Sequence, residues 1–559
     1  MVTQHMKKTK SVLSKYLIPL ILLLSVPAIR YLFVYGFFGV SDDLHVAWLY
    51  EMDRVIKLLQ FPPRFVPDLS FGFGYPLFNF VYPLPFYIGE VIHLLGFSLV
   101  DSIKIVFGLS IPLSMYFMYK FLKEFLSEEL SLAGSVLYVY APYRAVEIFV
   151  RGTIGEIVAF TIIPIVALAF VNLSKEKPSV KWVGAAALSV AALVLSHNIM
   201  AYMFMPFALL LLISRIIFII KNKKAAIIRS LIGVFLGLAA SIYFWLPAIY
   251  ESRLMHYDTV FNFYDHFPAL KQFIIPYFGY GASVPGPYDT MSFYFGLTGI
   301  LTAIFGLILF ALKFKKFSFE EKMFFIWGEV ILLVSIFMMN FRSAFLWRNL
   351  PLLPYFQFPW RFLAMVVFSI PILLLGFSKY KFGKIASYII IALTIALNFN
   401  YFKISEYLGR GDAYYLNRYI PVPVASEEYK KTSEEYLRLP KDTEARPQSN
   451  FPRAYADVSG IYRIEEINTL DAAVSTDYKE DFILNYSKYY FPGWFAKIDG
   501  KSVGIASGKP YGQIVLQVPA GQHTVEVYYR ESLMRQVLDI VSLIGVGAAV
   551  FLILKKKKI

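Results

Sequence analysis

Apolar runs of about 18 residues or more recur along the chain, each long enough to cross a hydrocarbon core roughly 30 Å thick. They predict twelve membrane spans, at roughly 16–38, 103–121, 129–143, 154–173, 180–196, 199–219, 226–248, 293–312, 323–340, 361–378, 385–401 and 534–554. Alternate connections are basic: Lys7, Lys8, Lys10 and Lys15; Lys120 and Lys123; Lys175, Lys177 and Lys181; Lys221, Lys223, Lys224 and Arg229; Lys313, Lys315, Lys316 and Lys322; Lys379, Lys381 and Lys384; and Lys555 to Lys558. The positive-inside rule assigns all of these to the cytoplasm and puts both termini there. Phe86 to Phe97 is apolar but only about a dozen residues long and carries Glu90 and His93. It suits an interfacial or re-entrant helix better than a span.

Three connections on the opposite side are long: 39–102, 249–292 and 402–533. The last turns polar and then strand-like. Ile514, Leu516 and Val518 alternate with polar neighbours, the turn Pro519-Ala520-Gly521 follows, and His523 to Arg530 again alternates with period two, which predicts a hairpin. The organisation expected is a transmembrane bundle over 1–401 with outer loops 39–102 and 249–292, then an extracytoplasmic β-rich domain over 402–533. A last transmembrane helix and basic cytoplasmic tail fill 534–559.

Composition agrees. Of 559 residues 57% are hydrophobic and only 17% charged, well below the quarter or so usual in soluble domains. The net charge of +15 is spent on the loops that orient helices, so it does not call for nucleic acid. With no cysteine there is no disulfide framework and no thiolate metal site. The basic N-terminus and the apolar stretch after it resemble a signal peptide, but no small-residue cleavage site follows, so an uncleaved first span is expected. No Walker loop, HExxH helix or GxSxG elbow stands in a fitting context.

Unusual polar residues collect on the outer side. Asp42 and Asp43 follow the first span; Ser41 or Asp42 would cap a helix running to about Leu59, and either carboxylate near apolar surface suits a general base. The same loop carries Arg64 and Asp68 among aromatic, Gly and Pro residues. Arg144, Glu147 and Arg151 are spaced to share a helix face, either as an ion-paired set or as a guanidinium clamp for phosphate, with Glu156 close behind. His197 lies at the outer end of an Ala/Val/Leu span, as a helix-end hydrogen bonder or a catalyst. Trp360-Arg361 lies on the outer side before the tenth span, where both residue types suit interface anchoring. The loop with Glu251, Arg253, His256, Asp258, Asp265 and His266 is a candidate gate or substrate loop.

The order of these pieces resembles the GT-C superfamily of membrane glycosyltransferases. Within it the chain looks most like the "6-pyruvoyl-tetrahydropterin synthase-related" membrane proteins and the YfhO-type proteins. The matching pieces are Asp42-Asp43-Leu44-His45, Arg64 with Pro67-Asp68, Gly74 to Phe78 with Tyr82 to Pro85, Tyr143-Arg144 with Arg151-Gly152 and Gly155-Glu156, His197-Asn198, and Phe356 to Arg361. Tyr489 to Trp494, Asp499-Gly500-Lys501 and Val518 to His523 look like a YfhO-type C-terminal β module. The pterin synthase label does not fit a zinc enzyme, since no three-His set is evident. The resemblance implies a polytopic α-helical, GT-C-like fold in the cell membrane and an enzyme that moves a sugar from a polyprenyl-phosphate donor to an envelope glycolipid, glycan or protein, with inversion. It implies an Asp43 or Asp42 base and a donor-binding set of Arg64, Arg144, Arg151, Glu156, His197 and Arg361. A divalent Mg or Mn ion on Asp42, Asp43 and Glu156 is a secondary implication. The competing classes are a lipid-linked sugar flippase or transporter, and a non-catalytic envelope scaffold.

Overall fold

The computed structural model describes residues 12–256, 262–420 and 439–555. Lys7, Lys8, Lys10, Asp258 and Lys556 to Lys558 lie outside the described residues.

The first part of the chain is a helical bundle. In chain order its main elements are α1 (Leu17–Ile29), α2 (His45–Lys57), α3 (Leu84–Leu94), α4 (Leu99–Leu122), α5 (Glu128–Val139), α6 (Ile154–Leu173), α7 (Lys181–Ser196), α8 (Asn198–Phe218), α9 (Lys223–Ala240), α10 (Ile242–Glu251), α11 (Leu297–Leu312), α12 (Phe319–Met338), α13 (Leu363–Ser369), α14 (Gly383–Asn398) and α15 (Asp412–Tyr419). A long last helix, α16 (Leu533–Leu554), returns to pack on α7 and α9. By length and apolarity six helical stretches among the described residues suffice to cross a membrane, and eight if two bent pairs each count as one span. The pairs are Lys223–Ala240 with Ile242–Leu254, bent by 65°, and Phe319–Met338 with Phe341–Asn349, bent by 87°. The predicted spans 16–38, 129–143, 180–196 and 293–312 are shorter helices here. The second of these stops at Val139 because Pro142 opens a new short helix that ends in a π-turn over Glu147–Arg151. Proline has no N–H to continue the preceding ladder.

The basic loops meet at one end of the bundle. Lys175 pairs with Glu124, Arg215 with Glu320, Lys379 with Glu321 and Lys384 with Glu129, while Arg229 donates to the Lys175 carbonyl.

Strands between Ala454 and Tyr529 build two packed sheets. They are β1 (Ala454–Ala456), β2 (Ile461–Glu466), β3 (Asp471–Tyr478), β4 (Phe482–Tyr489), β5 (Trp494–Ile498), β6 (Lys501–Val503), β7 (Ala506–Ser507), β8 (Gln513–Val518) and β9 (Gly521–Tyr529). One sheet runs β1-β4-β8-β7 and the other β2-β3-β9-β5-β6. The predicted strands β8 and β9 are present, but the hairpin is not. β8 pairs with β4 and β7, and β9 with β3 and β5. Period two explains both outcomes, because it shows that each strand has one apolar face and is silent on which strand lies beside it. The connection at Pro519-Ala520 crosses between sheets, so Ile514, Leu516 and Val518 of one face Val525, Val527 and Tyr529 of the other in a common core.

The first long loop bolts this β unit to the bundle. Phe65 packs edge-on against Trp494 with ring centroids 5.3 Å apart. The Tyr489 N–H donates to the Phe73 carbonyl at 3.1 Å, and Lys488 Nζ donates to the carbonyls of Pro67 and Gly72, each at 2.6 Å. From the bundle side, Glu51 of α2 accepts the backbone N–H groups of Asp68 and Leu69 at 3.1 and 2.8 Å. Polar loop groups removed from water are thus paired from both sides, which buried backbone requires.

Candidate functional site

A knot of ionised side chains lies where the π-turn meets the first turn of α6. Gly152 closes that turn with φ +71°, and a Cβ there would meet Val40 at 2.6 Å, so this left-handed, crowded position is one for glycine. The reversal carries Arg151 back over its own neighbours. Its Nη1 donates to Glu147 Oε1 at 2.6 Å and to Glu156 Oε1 at 2.9 Å, while Thr153 Oγ1 donates to the other Glu147 oxygen. Both carboxylates are fully buried. Burial of this kind is tolerable only with such pairing.

Glu156 gathers further partners from three other segments. Arg361 Nε, just before α13, lies 3.4 Å from Oε1, and His197 Nε2 3.9 Å from it. The Tyr143 hydroxyl lies 3.5 Å from Oε2. His197 sits in extended backbone between α7 and α8, and its Nδ1 accepts the Met200 N–H at 3.2 Å. That bond assigns the ring proton to Nε2, the atom facing Glu156. Aromatic rings wall the site: Trp360 lies under the Arg151 guanidinium at 4.7 Å, and Tyr82 packs on the His197 ring at 4.9 Å. Gly155 admits that tyrosine, since a Cβ at this position would come within 2.3 Å of its ring.

The Asp42-Asp43 turn is hydrogen-bonded to the same π-turn. The Ser41 and Asp42 N–H groups donate to the carbonyls of Val150 and Arg151, at 3.0 and 2.8 Å. The N-cap of α2 is Leu44, not the predicted Ser41 or Asp42, and the Asp42 and Asp43 carbonyls take the His45 and Val46 N–H groups. The two carboxylates face different surroundings. Asp42 acts on Arg151 as a nearby negative charge. Asp43 accepts a hydrogen bond from Tyr419 Oη and sits among the charges of Arg418 and Arg410. Burial pushes the Asp43 carboxyl above its ordinary value, against the pull of that hydroxyl and those two guanidinium groups.

Of the residues singled out in the sequence, Arg151, Glu156, His197 and Arg361 come together, with the Asp42-Asp43 turn beside them. Arg64 and Arg144 stand elsewhere. Arg64 is buried at the joint with the last helix, 2.8 Å from Asp539 and 3.4 Å from Glu531. Arg144 lies over the Phe160 ring at 4.2 Å and donates to Ser114 at 3.1 Å. Of the shared helix face predicted for Arg144, Glu147 and Arg151, the Glu147–Arg151 pair forms, whereas the Arg144 guanidinium turns to Phe160 and Ser114 and meets Glu147 as a nearby charge. Among the described residues no three carboxylate or imidazole groups converge to hold a metal ion. Asp42, Asp43 and Glu156 therefore do not form the predicted ligand set: Asp43 turns to Tyr419 while Glu156 is engaged by Arg151 and Arg361. In the outer loop proposed as a gate, His256 packs against the backbone of Leu439 and Thr443, and His266 bonds Ser283 at 2.9 Å.

The sequence reading missed Thr153 and the 410–419 residues. Thr153 had a local cue, lying between Gly152 and the Gly155-Glu156 pair. Tyr419 had none, being separated from Asp43 by most of the bundle sequence.

Residues 78–406 match the family described as "6-pyruvoyl-tetrahydropterin synthase related domain; membrane protein", and the chain belongs to that family. The match takes in Tyr82, Glu156, His197 and Arg361 but ends before Tyr419 and the β sheets. No curated protein matches the chain. Among solved structures, two cryo-EM structures of the arabinofuranosyltransferase AftD from Mycobacteria, the second of a mutant, align with TM-scores of 0.38 and 0.42. Identity is 14% in both, over 70% of this chain and 27% and 28% of those chains. The chain thus spans less than a third of the length of those proteins, and overlap this loose decides nothing about activity.

Proposed function

We propose that this protein is a membrane glycosyltransferase of the GT-C type, moving a sugar from a polyprenyl-phosphate donor to an envelope glycolipid, glycan or protein. The observation that carries the reading is the juxtaposition of the Asp42-Asp43 turn with the buried Arg151, Glu156, His197 and Arg361 cluster at the bundle end that bears the β unit.

In this reading an acceptor hydroxyl attacks the anomeric carbon from the side opposite the phosphate. The new C–O bond forms as the bond to the phosphate oxygen breaks, the phosphate leaves with the electron pair, and the hydroxyl proton passes to Asp43. A base positioned at the hydroxyl and cations at the leaving group are what such a step requires. Arg361 and the Nε2–H of His197 are the donors offered to the phosphate. Arg151 is held by two carboxylates and acts chiefly to orient Glu156 and the Asp42 turn. Tyr143, whose hydroxyl faces Glu156, also lines a narrow apolar crevice between α5, α11 and α13 with Leu137, Tyr294, Leu363, Val367 and Ile370. Placement in the plasma membrane, with the basic loops and both termini inside and the β unit outside, belongs to the same reading.

The test is transfer of radiolabelled sugar by the protein in lipid vesicles, from a panel of polyprenyl-phosphate sugars to extracted envelope glycolipid. Label in the glycolipid supports the reading. Donor binding without transfer from any bound donor contradicts it.

A further inference from the structure

Between the last bundle helix and the β unit the chain does not leave the bundle at once. Residues 410–419 are strapped across its end by contacts that owe nothing to the β sheets. The Phe37 N–H donates to the Arg410 carbonyl at 2.8 Å, and Gly36, with φ +70°, lies so close that a Cβ on it would stand 2.5 Å from the Gly409 carbonyl carbon. The Asp412 carboxylate takes the Leu99 and Val100 N–H groups, each at 2.9 Å, and so joins Ser98 in capping α4. Tyr415 is fully buried and meets the Phe37 ring edge-on at 5.9 Å. α15 is thereby fixed at both its start and its middle, and its last residue, Tyr419, delivers a hydroxyl to Asp43 Oδ1.

We infer that Tyr419 is a positioning residue for Asp43, its hydroxyl fixing the carboxylate's orientation and charge state so that the other oxygen meets the acceptor hydroxyl. The inference rests on the reading of Asp43 as the base. A carboxylate on a turn rotates freely unless something holds it, and a donor bonded to one oxygen stabilises the ionised form while leaving the second oxygen to take a proton. The groups that face Asp43 are Arg410, Tyr415, Arg418 and Tyr419 from the strap, with Asp42 beside it on its own turn and Arg151 behind Asp42. Of these, Tyr419 is the one side chain hydrogen-bonded to Asp43 among the described residues. The Arg410 and Arg418 charges remain when its hydroxyl is removed, although Arg418 loses its own hydrogen bond to Tyr419.

The experiment reads Asp43 without relying on turnover. The full-length protein in lipid is treated with dicyclohexylcarbodiimide, which adds to protonated carboxyls, across a pH series, and modification of the Asp43 peptide is followed by mass spectrometry. Asp43→Asn identifies the signal. Tyr419→Phe keeps the ring and its packing and loses only the hydroxyl. The midpoint for modification rises by about half a pH unit to one unit in Tyr419→Phe, as loss of one hydrogen bond to a carboxylate should cause. The acid limb of the transfer rate rises with it. Arg418→Gln also raises the midpoint, and because Arg418 and Tyr419 are themselves hydrogen-bonded the two changes couple rather than add. An unmoved midpoint in a folded Tyr419→Phe protein overturns the inference whatever the transfer rate does, and so does transfer unaffected in rate and pH profile. A raised midpoint in a protein that transfers no sugar keeps Tyr419's hold on Asp43 and removes the glycosyltransferase reading instead.

Discussion

Replacing Arg535 by methionine tests what holds the last helix and the β unit to the rest of the chain. Arg535 is in the first turn of α16 and fully buried. Its Nε and Nη2 donate to the two oxygens of Glu251, at 3.2 and 2.8 Å, and its Nη1 to the Tyr529 hydroxyl at 2.9 Å. Glu251 keeps one further bond, from Asn79 at 2.6 Å. The substitution therefore strips a buried carboxylate of two of its three donors and leaves a buried phenol without one. Breaking one side of such a pair costs about 3–5 kcal/mol, because the charge left behind stays out of water. Changing both partners to apolar residues removes that orphan, so Arg535→Met with Glu251→Leu costs less than Arg535→Met alone. The coupling is then about 1–3 kcal/mol, within the range for residues in direct contact. The assay is equilibrium unfolding in mixed micelles against rising sodium dodecyl sulfate, with tryptophan fluorescence and protease cleavage between residues 439 and 531 as readouts. A single-substitution cost below about 1 kcal/mol, or strict additivity in the cycle, would show that Arg535 and Glu251 do not hold this joint.

Gly155→Ala drives a methyl group into the Tyr82 ring, with the Ser196 carbonyl closing the other side at 2.8 Å. Transfer should fall about a hundredfold with expression unchanged, since small displacements at a reacting centre have effects of that order. The pH profile of transfer should lose its acid side through a midpoint above the ordinary aspartate value of 3.8. Asp43 must be ionised to accept a proton, and burial raises its pKa, so activity is present above that midpoint and lost as pH falls through it. Because the chain has no cysteine, single introduced cysteines report sidedness cleanly. A membrane-impermeant maleimide added to intact cells should label Lys501→Cys on the β unit and leave Lys316→Cys in a basic loop untouched; both positions are exposed.

Hydropathy made the helical bundle and the β-rich segment readable, because both follow from local periodicity. The number of spans was harder to read. Apolar stretches such as 129–143 carry enough hydrophobicity for a span, but Pro142 and the π-turn end the helix at Val139. Sheet partners escaped for a related reason: the alternation in β8 and β9 marks a buried face on each without saying that the two lie in opposite sheets. At the site, Arg151, Glu156, His197 and Arg361 were legible as charges out of place at the ends of apolar runs. Arg64 and Arg144 looked the same by that criterion. Only three-dimensional packing separates them, by giving Arg64 two carboxylates of the last-helix region and Arg144 an aromatic face. Tyr419 was illegible because nothing local marks a tyrosine whose partner is 376 positions away in sequence.

If the Asp42-Asp43 turn carries the base, the two adjacent aspartates are each other's control. The decisive measurement is single-turnover sugar transfer by the parent, Asp43→Asn and Asp42→Asn proteins, each loaded with the same bound donor. With Asp43 as the base, all three bind donor, transfer is abolished in Asp43→Asn, and transfer is weakened but present in Asp42→Asn. Transfer by Asp43→Asn at the parent's rate would contradict that role.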